Sequence, residues 1–114
     1  MKQTIRQMVS EIQGEIAKGN LMPARAAELL TQLSALLGNI SEEITQCDYE
    51  YNLVLLQFLE NEAKANRAKI KAEVSKEYLA KRRAYNTRDL AIELIRSLKY
   101  FLRAQEQEMR EARY

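Results

Sequence analysis

Leu30, Leu33, Leu37, Ile40, Ile44, Cys47, Tyr51, Val54 and Phe58 follow one another at alternating spacings of three and four. Only an α-helix puts such a series on one side, so this is a heptad stripe four heptads long. A helix with one continuous apolar seam must lay that seam against another helix. The stripe passes through Gly38-Asn39, so the helix is expected to continue there, at a propensity cost of about 1 kcal/mol for the glycine. Pro23 suits its first turn, where the missing N–H loses no bond. After Phe58 the rhythm thins to Asn61, Ala65, Ala68 and Ala72. The spacing therefore predicts a helix over about residues 23–68.

A second stripe runs through Ala91, Ile95, Leu98, Leu102, Gln105, Met109 and Ala112. With Ser75 as its N-cap, it predicts a helix over about residues 75–112. Packed antiparallel, the two stripes pair Phe58 with Ala91, Val54 with Ile95, Tyr51 with Leu98, Cys47 with Leu102 and Ile40 with Met109. A slip of one heptad would keep the seam, but this register matches the extents of both stripes and puts the turn at Val74-Ser75. Asn66 and Asn86-Thr87 are rival break points, and one unbroken helix to the end of the chain is the alternative. Ile5, Met8, Val9, Ile12 and Ile16, followed by Gly19-Asn20 as a stop, predict a first short helix over about residues 3–18. The expected fold is all-α: one domain, residues 1–114, formed by a coiled-coil-like antiparallel hairpin of long helices with a short N-terminal helix. Leu53, Leu56 and Leu59 lie off the seam. They call for cover from the first helix, from self-association into an oligomeric bundle, or from both.

The composition favours helix and excludes much chemistry. Three Gly, one Pro, no Trp and 46% hydrophobic residues fit a modest helical core. A single cysteine forms no internal disulfide, which points to a reducing, cytoplasmic setting. No apolar run reaches the roughly 20 residues of a membrane span, and charges interrupt the N-terminal segment as they would not in a signal peptide. There is no histidine, the commonest general base and metal ligand. One cysteine cannot supply a zinc site, and Cys47 on the seam reads as a small buried hydrophobe. The glycines stand singly at 14, 19 and 38, so no phosphate-cradling loop exists. The acids Glu42, Glu43, Asp48 and Glu50 read as a solvated flank. No catalytic residue, metal ligand or cofactor site is nominated, and a non-enzymatic protein is expected.

Charge is the feature that points to a partner. Residues 1–63 carry four basic and nine acidic side chains, residues 64–88 nine and two, and residues 89–114 five and five. The basic stretch contains Lys64, Arg67, Lys69, Lys71, Lys76, Lys81, Arg82, Arg83 and Arg88, with Tyr78 and Tyr85 among them. A spacing of seven puts these two rings on one helix face. Cations interleaved with aromatics suit single-stranded nucleic acid, where cations meet phosphates and rings stack on bases. The competing reading is a solvated basic face. The other tyrosines, Tyr49, Tyr51, Tyr100 and Tyr114, read as packing residues.

The segment "EVSKEYLAKRRAYNTRDLAIELIRSLKYFLRAQEQEMREAR" resembles the C-terminal helix of small helical proteins encoded by tailed phages, a group that includes the phage recombination mediators. The resemblance covers about residues 40–112. It lies in the acidic-aromatic helix "CDYEYNLVLLQFLENEAKA", the Lys/Arg-rich middle, and a final helix with an Ile-x-x-Leu-Lys core; the N-terminal helix has no counterpart. It implies a homo-oligomer in the cytoplasm of a bacterial host, with a DNA-binding surface made from Lys64 to Arg88. Such a protein helps load a recombinase onto single-stranded DNA coated by a single-strand-binding protein. A protein-binding module acting on a host nucleoprotein machine and a structural coiled-coil subunit are the alternatives.

Overall fold

A computed structural model describes residues 2–112. Its helices are α1 (Ile5–Ala17), α2 (Pro23–Asn61), α3 (Ala65–Glu73) and α4 (Lys76–Ala112), with no strand among the described residues. Two of the helices are long and pack against each other.

Local signals set the ends of these helices. Thr4 and Gln7 form a capping box: the Thr4 hydroxyl accepts the Gln7 backbone N–H at 3.1 Å and the Gln7 side-chain Oε1 accepts the Thr4 backbone N–H at 2.8 Å. Two orphan donors of α1 are thereby satisfied. Gly19, at φ 77°, turns the chain out of α1, a conformation that costs glycine nothing. Pro23 opens α2, which runs through Gly38 without a break. Ser75 caps α4, its hydroxyl accepting the Tyr78 N–H at 3.2 Å.

Every member of the α2 stripe from Leu30 to Phe58 is buried or half-buried. Leu29, Leu33 and Ile40 of α2 join Ala91, Leu94, Ile95 and Leu98 of α4 in one core, which Val9 and Ile12 of α1 complete. Arg6 lies by Arg83 and Asn86, while Ile16 and Leu21 lie by Leu98 and Phe101. α1 therefore runs parallel to α4 and fills the groove of the hairpin. A bidentate pair ties it to α2: Glu15 accepts from Nε and Nη2 of Arg25 at 2.6 and 2.9 Å.

The expected helix over 23–68 and its turn at Val74-Ser75 are corrected. The chain reverses at Glu62–Lys64, where Glu62 and Lys64 adopt extended backbone. Residues 65–73 then form α3, which folds back along α2. Asn61 closes α2 by donating its side-chain amide to the Gln57 carbonyl at 2.8 Å, and Lys71 of α3 pairs with Glu62. Ala68 and Ala72, taken as the thin end of the α2 stripe, are fully buried because α3 lays them on α2. Ser75 caps as expected, yet the break it marks lies between two helices that follow the same side of α2.

The register moves with the turn. Tyr51 packs on Tyr78, with ring centroids 5.4 Å apart, and not on Leu98. Asp48 meets Tyr85 and Lys81. The pairing of Ile40 with Met109 fails as well, since Ile40 is buried and Met109 exposed. A turn that comes earlier brings each α2 residue against an earlier part of α4.

The molecule is a rod of 73 × 32 × 21 Å. α1 covers the half away from the turn, leaving Leu53, Leu56 and Leu59 at 44%, 52% and 41% exposure. The first helix is not their cover. Among the described residues no helix is long and apolar enough to cross a membrane.

Candidate nucleic-acid interface

The basic stretch spans the turn end of the rod, from the start of α3 through the first third of α4. On α3, burial of Ala68 and Ala72 forces the charged residues to the flanks. Lys64, Arg67 and Lys71 share one flank by their spacing of three and four, and Lys69 takes the other. Lys71 turns to Glu62. Its hydrogen bond and charge hold the Glu62 carboxyl below the usual carboxylate range, against a smaller opposing effect of burial.

On α4 the stretch divides. Lys76 and Arg83, seven residues apart, share a face, and Arg82 points to solvent. Lys81 turns inward, its Nζ 3.6 Å from Asp48 Oδ1 and 4.6 Å from the centre of the Tyr51 ring. The Tyr85 hydroxyl donates to Asp48 Oδ2 at 2.9 Å. That bond, with burial, pushes the phenol above its ordinary pKa. Arg88 lies over the Tyr85 ring at 4.9 Å and 3.4 Å from Asp89. Tyr78 is half-buried against Tyr51, whose own phenol is pushed up by burial.

The eleven nominated residues therefore fall into two sets. Lys64, Arg67, Lys69, Lys76, Arg82 and Arg83 are exposed and make no ion pair among the described residues. Lys71, Lys81, Arg88, Tyr78 and Tyr85 are held in contacts within the chain. Tyr78 and Tyr85 do share a face, as their spacing requires, but it is the face turned to α2. Their rings brace the hairpin and offer no open platform for bases. Tyr49 and Tyr100, read as packing residues, are exposed instead, and Tyr114 lies outside the described residues.

Arg6 joins the first set. It lines a small depression with Arg83 and Asn86, so two guanidinium-bearing side chains and an amide meet with no carboxylate lining the site. No sequence signal marks Arg6, because its neighbours in the chain are not its neighbours in space.

Cys47 is half-buried; burial, then the nearby acids Glu43, Glu50 and Asp48, push its thiol up, away from a reactive thiolate. Asp48 leaves its acidic neighbours to face α4, and no three potential ligands converge on a metal position among the described residues. Comparison of the chain with protein-family models, curated proteins and solved structures finds no match in any of the three.

Proposed function

We propose that this chain is a non-catalytic helical module that holds nucleic acid by its phosphates. The observation behind this reading is the set Lys64, Arg67, Lys69, Lys76, Arg82 and Arg83, exposed toward the turn end of the rod and in no ion pair among the described residues, and extended by Arg6. Like charges held together repel, and a polyanion that binds them releases counterions as well. Phosphate contacts position a strand without reading its sequence, and the inward Tyr78 and Tyr85 leave no open ring for stacking within the basic stretch. The resemblance to phage recombination mediators supplies the setting: single-stranded DNA as ligand, with a recombinase or single-strand-binding protein as co-partner.

The test is a titration of labelled single-stranded and duplex DNA across a salt series. Six single-strand contacts give a log–log salt slope of roughly −4, at about −0.7 per phosphate. Replacing Arg82 and Arg83 together by Ala flattens the slope by about 1.4 units. Lys81→Ala leaves the slope nearly unchanged, because that ammonium is already held by Asp48 and Tyr51. Absence of salt-sensitive binding to any nucleic acid at low ionic strength would overturn the proposal.

One observation favours a second reading, a module for an acidic protein surface. Val74 is 82% exposed, with Ile70 and Leu79 also exposed among Lys69, Lys71 and Lys76. In that case Ile70→Asp and Val74→Asp abolish capture of the protein partner, and oligonucleotide does not compete for it.

A further inference from the structure

Arg6 of α1 and Arg83 and Asn86 of α4 line a depression of about 200 Å³. Packing on both helices holds them there. Val9, fully buried one turn beyond Arg6, fixes that end of α1 against the hairpin. On α4, buried Ala84 and Thr87 set the inward side, and the Thr87 hydroxyl donates to the Arg83 carbonyl at 2.8 Å. Arg83 and Asn86 are left at the surface, neighbours at a spacing of three. Neither guanidinium takes part in an ion pair among the described residues.

The depression also lies where the run of free cations stops. Lys76 and Arg83 share a face of α4, with Arg82 beside them. Past Asn86 that face carries Asp89 and then Glu93, both exposed. Past Arg6 on α1, Ser10 and Gln13 bear no charge. A phosphate backbone drawn along the cations from the turn end therefore meets carboxylates or neutral side chains beyond this point.

We infer, on the phosphate-holding reading just given, that the Arg6–Arg83–Asn86 depression takes the terminal phosphate of a strand in preference to the diesters within it. A terminal phosphomonoester carries a charge of about −1.5 to −2 near neutral pH and three acceptor oxygens. An internal diester carries a single charge and one free oxygen fewer. Two guanidiniums match the charge of the monoester. Their forks and the Asn86 amide also supply more donors than a diester can accept. Acids beyond the depression then suit a strand that ends there.

The test compares one single-stranded oligonucleotide bearing a 5′-phosphate, a 3′-phosphate or hydroxyls at both ends, at a fixed salt concentration. A phosphorylated strand should bind about tenfold tighter than the hydroxyl strand. The end that confers the gain gives the direction of the strand along the cations. Arg6→Ala should abolish the preference while the hydroxyl strand keeps most of its affinity. Arg6→Lys, which keeps the charge and loses the fork, should restore only part of it. Lowering the pH from about 7.5 to about 5 protonates the monoester, whose second pKa is about 6, and should shrink the preference. The chain has no histidine to titrate in that interval. Without DNA, inorganic phosphate should shift the Arg6 and Arg83 Nε–H resonances saturably and leave that of Arg103 in place. Equal binding of the three strands, a preference that survives Arg6→Ala, or unmoved Arg6 and Arg83 resonances would overturn the inference and leave the phosphate-holding reading standing. Failure of every strand to bind would overturn that reading and this inference together.

Discussion

Asp48 fixes the register of the hairpin. Its Oδ2 accepts the Tyr85 hydroxyl, and its Oδ1, which lacks a hydrogen-bond partner, lies just beyond that range from the Lys81 ammonium. Asp48→Ala leaves a phenol and an ammonium without their acceptor, and should destabilise the fold by about 1–3 kcal/mol in urea denaturation. The pH dependence follows from the same contacts. The Tyr85 and Tyr51 phenols titrate above their ordinary value of 10.0 in the folded chain. Their contribution is whole below that value and is lost as pH rises through the folded pKa values. Glu15, held down first by its hydrogen bond to Arg25, and Glu62, held down by Lys71, behave oppositely. Their contribution is whole above the ordinary 4.5 and is lost as pH falls through the lowered values. Thermal midpoints should therefore be flat across neutral pH and drop at both ends. Glu15→Gln should reduce the acid-side drop and Tyr85→Phe the alkaline one. A profile that either variant leaves unmoved at its end would refute the assignment.

At the scale of the elements, the glycines separate propensity from geometry. A Cβ at Gly14 or Gly38 meets nothing within 4 Å, and both positions are helical. Gly14→Ala and Gly38→Ala should each stabilise by about 0.5–1 kcal/mol in chemical denaturation. Gly19 also has open space around it, but its φ of 77° strains any other residue, so Gly19→Ala should destabilise by about 1–2 kcal/mol. Equal signs at all three positions would refute this account. The approach of α3 to α2 depends on small side chains, Ala68 and Ala72 both being fully buried. Ala68→Leu should cost about 1–3 kcal/mol by overpacking, with the loss read as faster hydrogen exchange in α3 before α2 is affected.

As a whole, the molecule is long for its length of chain. Its radius of gyration is 19.8 Å, against about 13 Å for a compact domain of this size. The core occupies one part of the rod, from Leu29 to Ile40 on α2 and Ala91 to Leu98 on α4, while the turn end and the segment after Leu102 are mostly exposed. Stability should follow that division. Amide exchange is expected to be slowest in the two core segments, and at least tenfold faster in α3 and beyond Leu102; uniform protection along α4 would contradict it. The same division leaves the turn end, with its cations and leucines, open to partners.

The seams were legible in the sequence because helical periodicity is a local property. Nine positions from Leu30 to Phe58 repeat at three and four, and each one turns inward. The N-terminal helix, its stop at Gly19, the start at Pro23 and the cap at Ser75 were legible for the same reason, as each depends on a few adjacent residues. The place where the chain reverses was not. Glu62–Lys64 holds no Gly or Pro, and the alanines beyond it fit the α2 stripe as well as they fit a new helix. Only the energy of laying Ala68 and Ala72 on α2, together with the Glu62–Lys71 pair, separates those outcomes, and both are contacts between distant turns. The charge cluster was visible as composition. Which of its members are free was decided in three dimensions, because Asp48 takes Lys81 and Tyr85, Tyr51 takes Tyr78, and the docking of α1 carries Arg6 to Arg83.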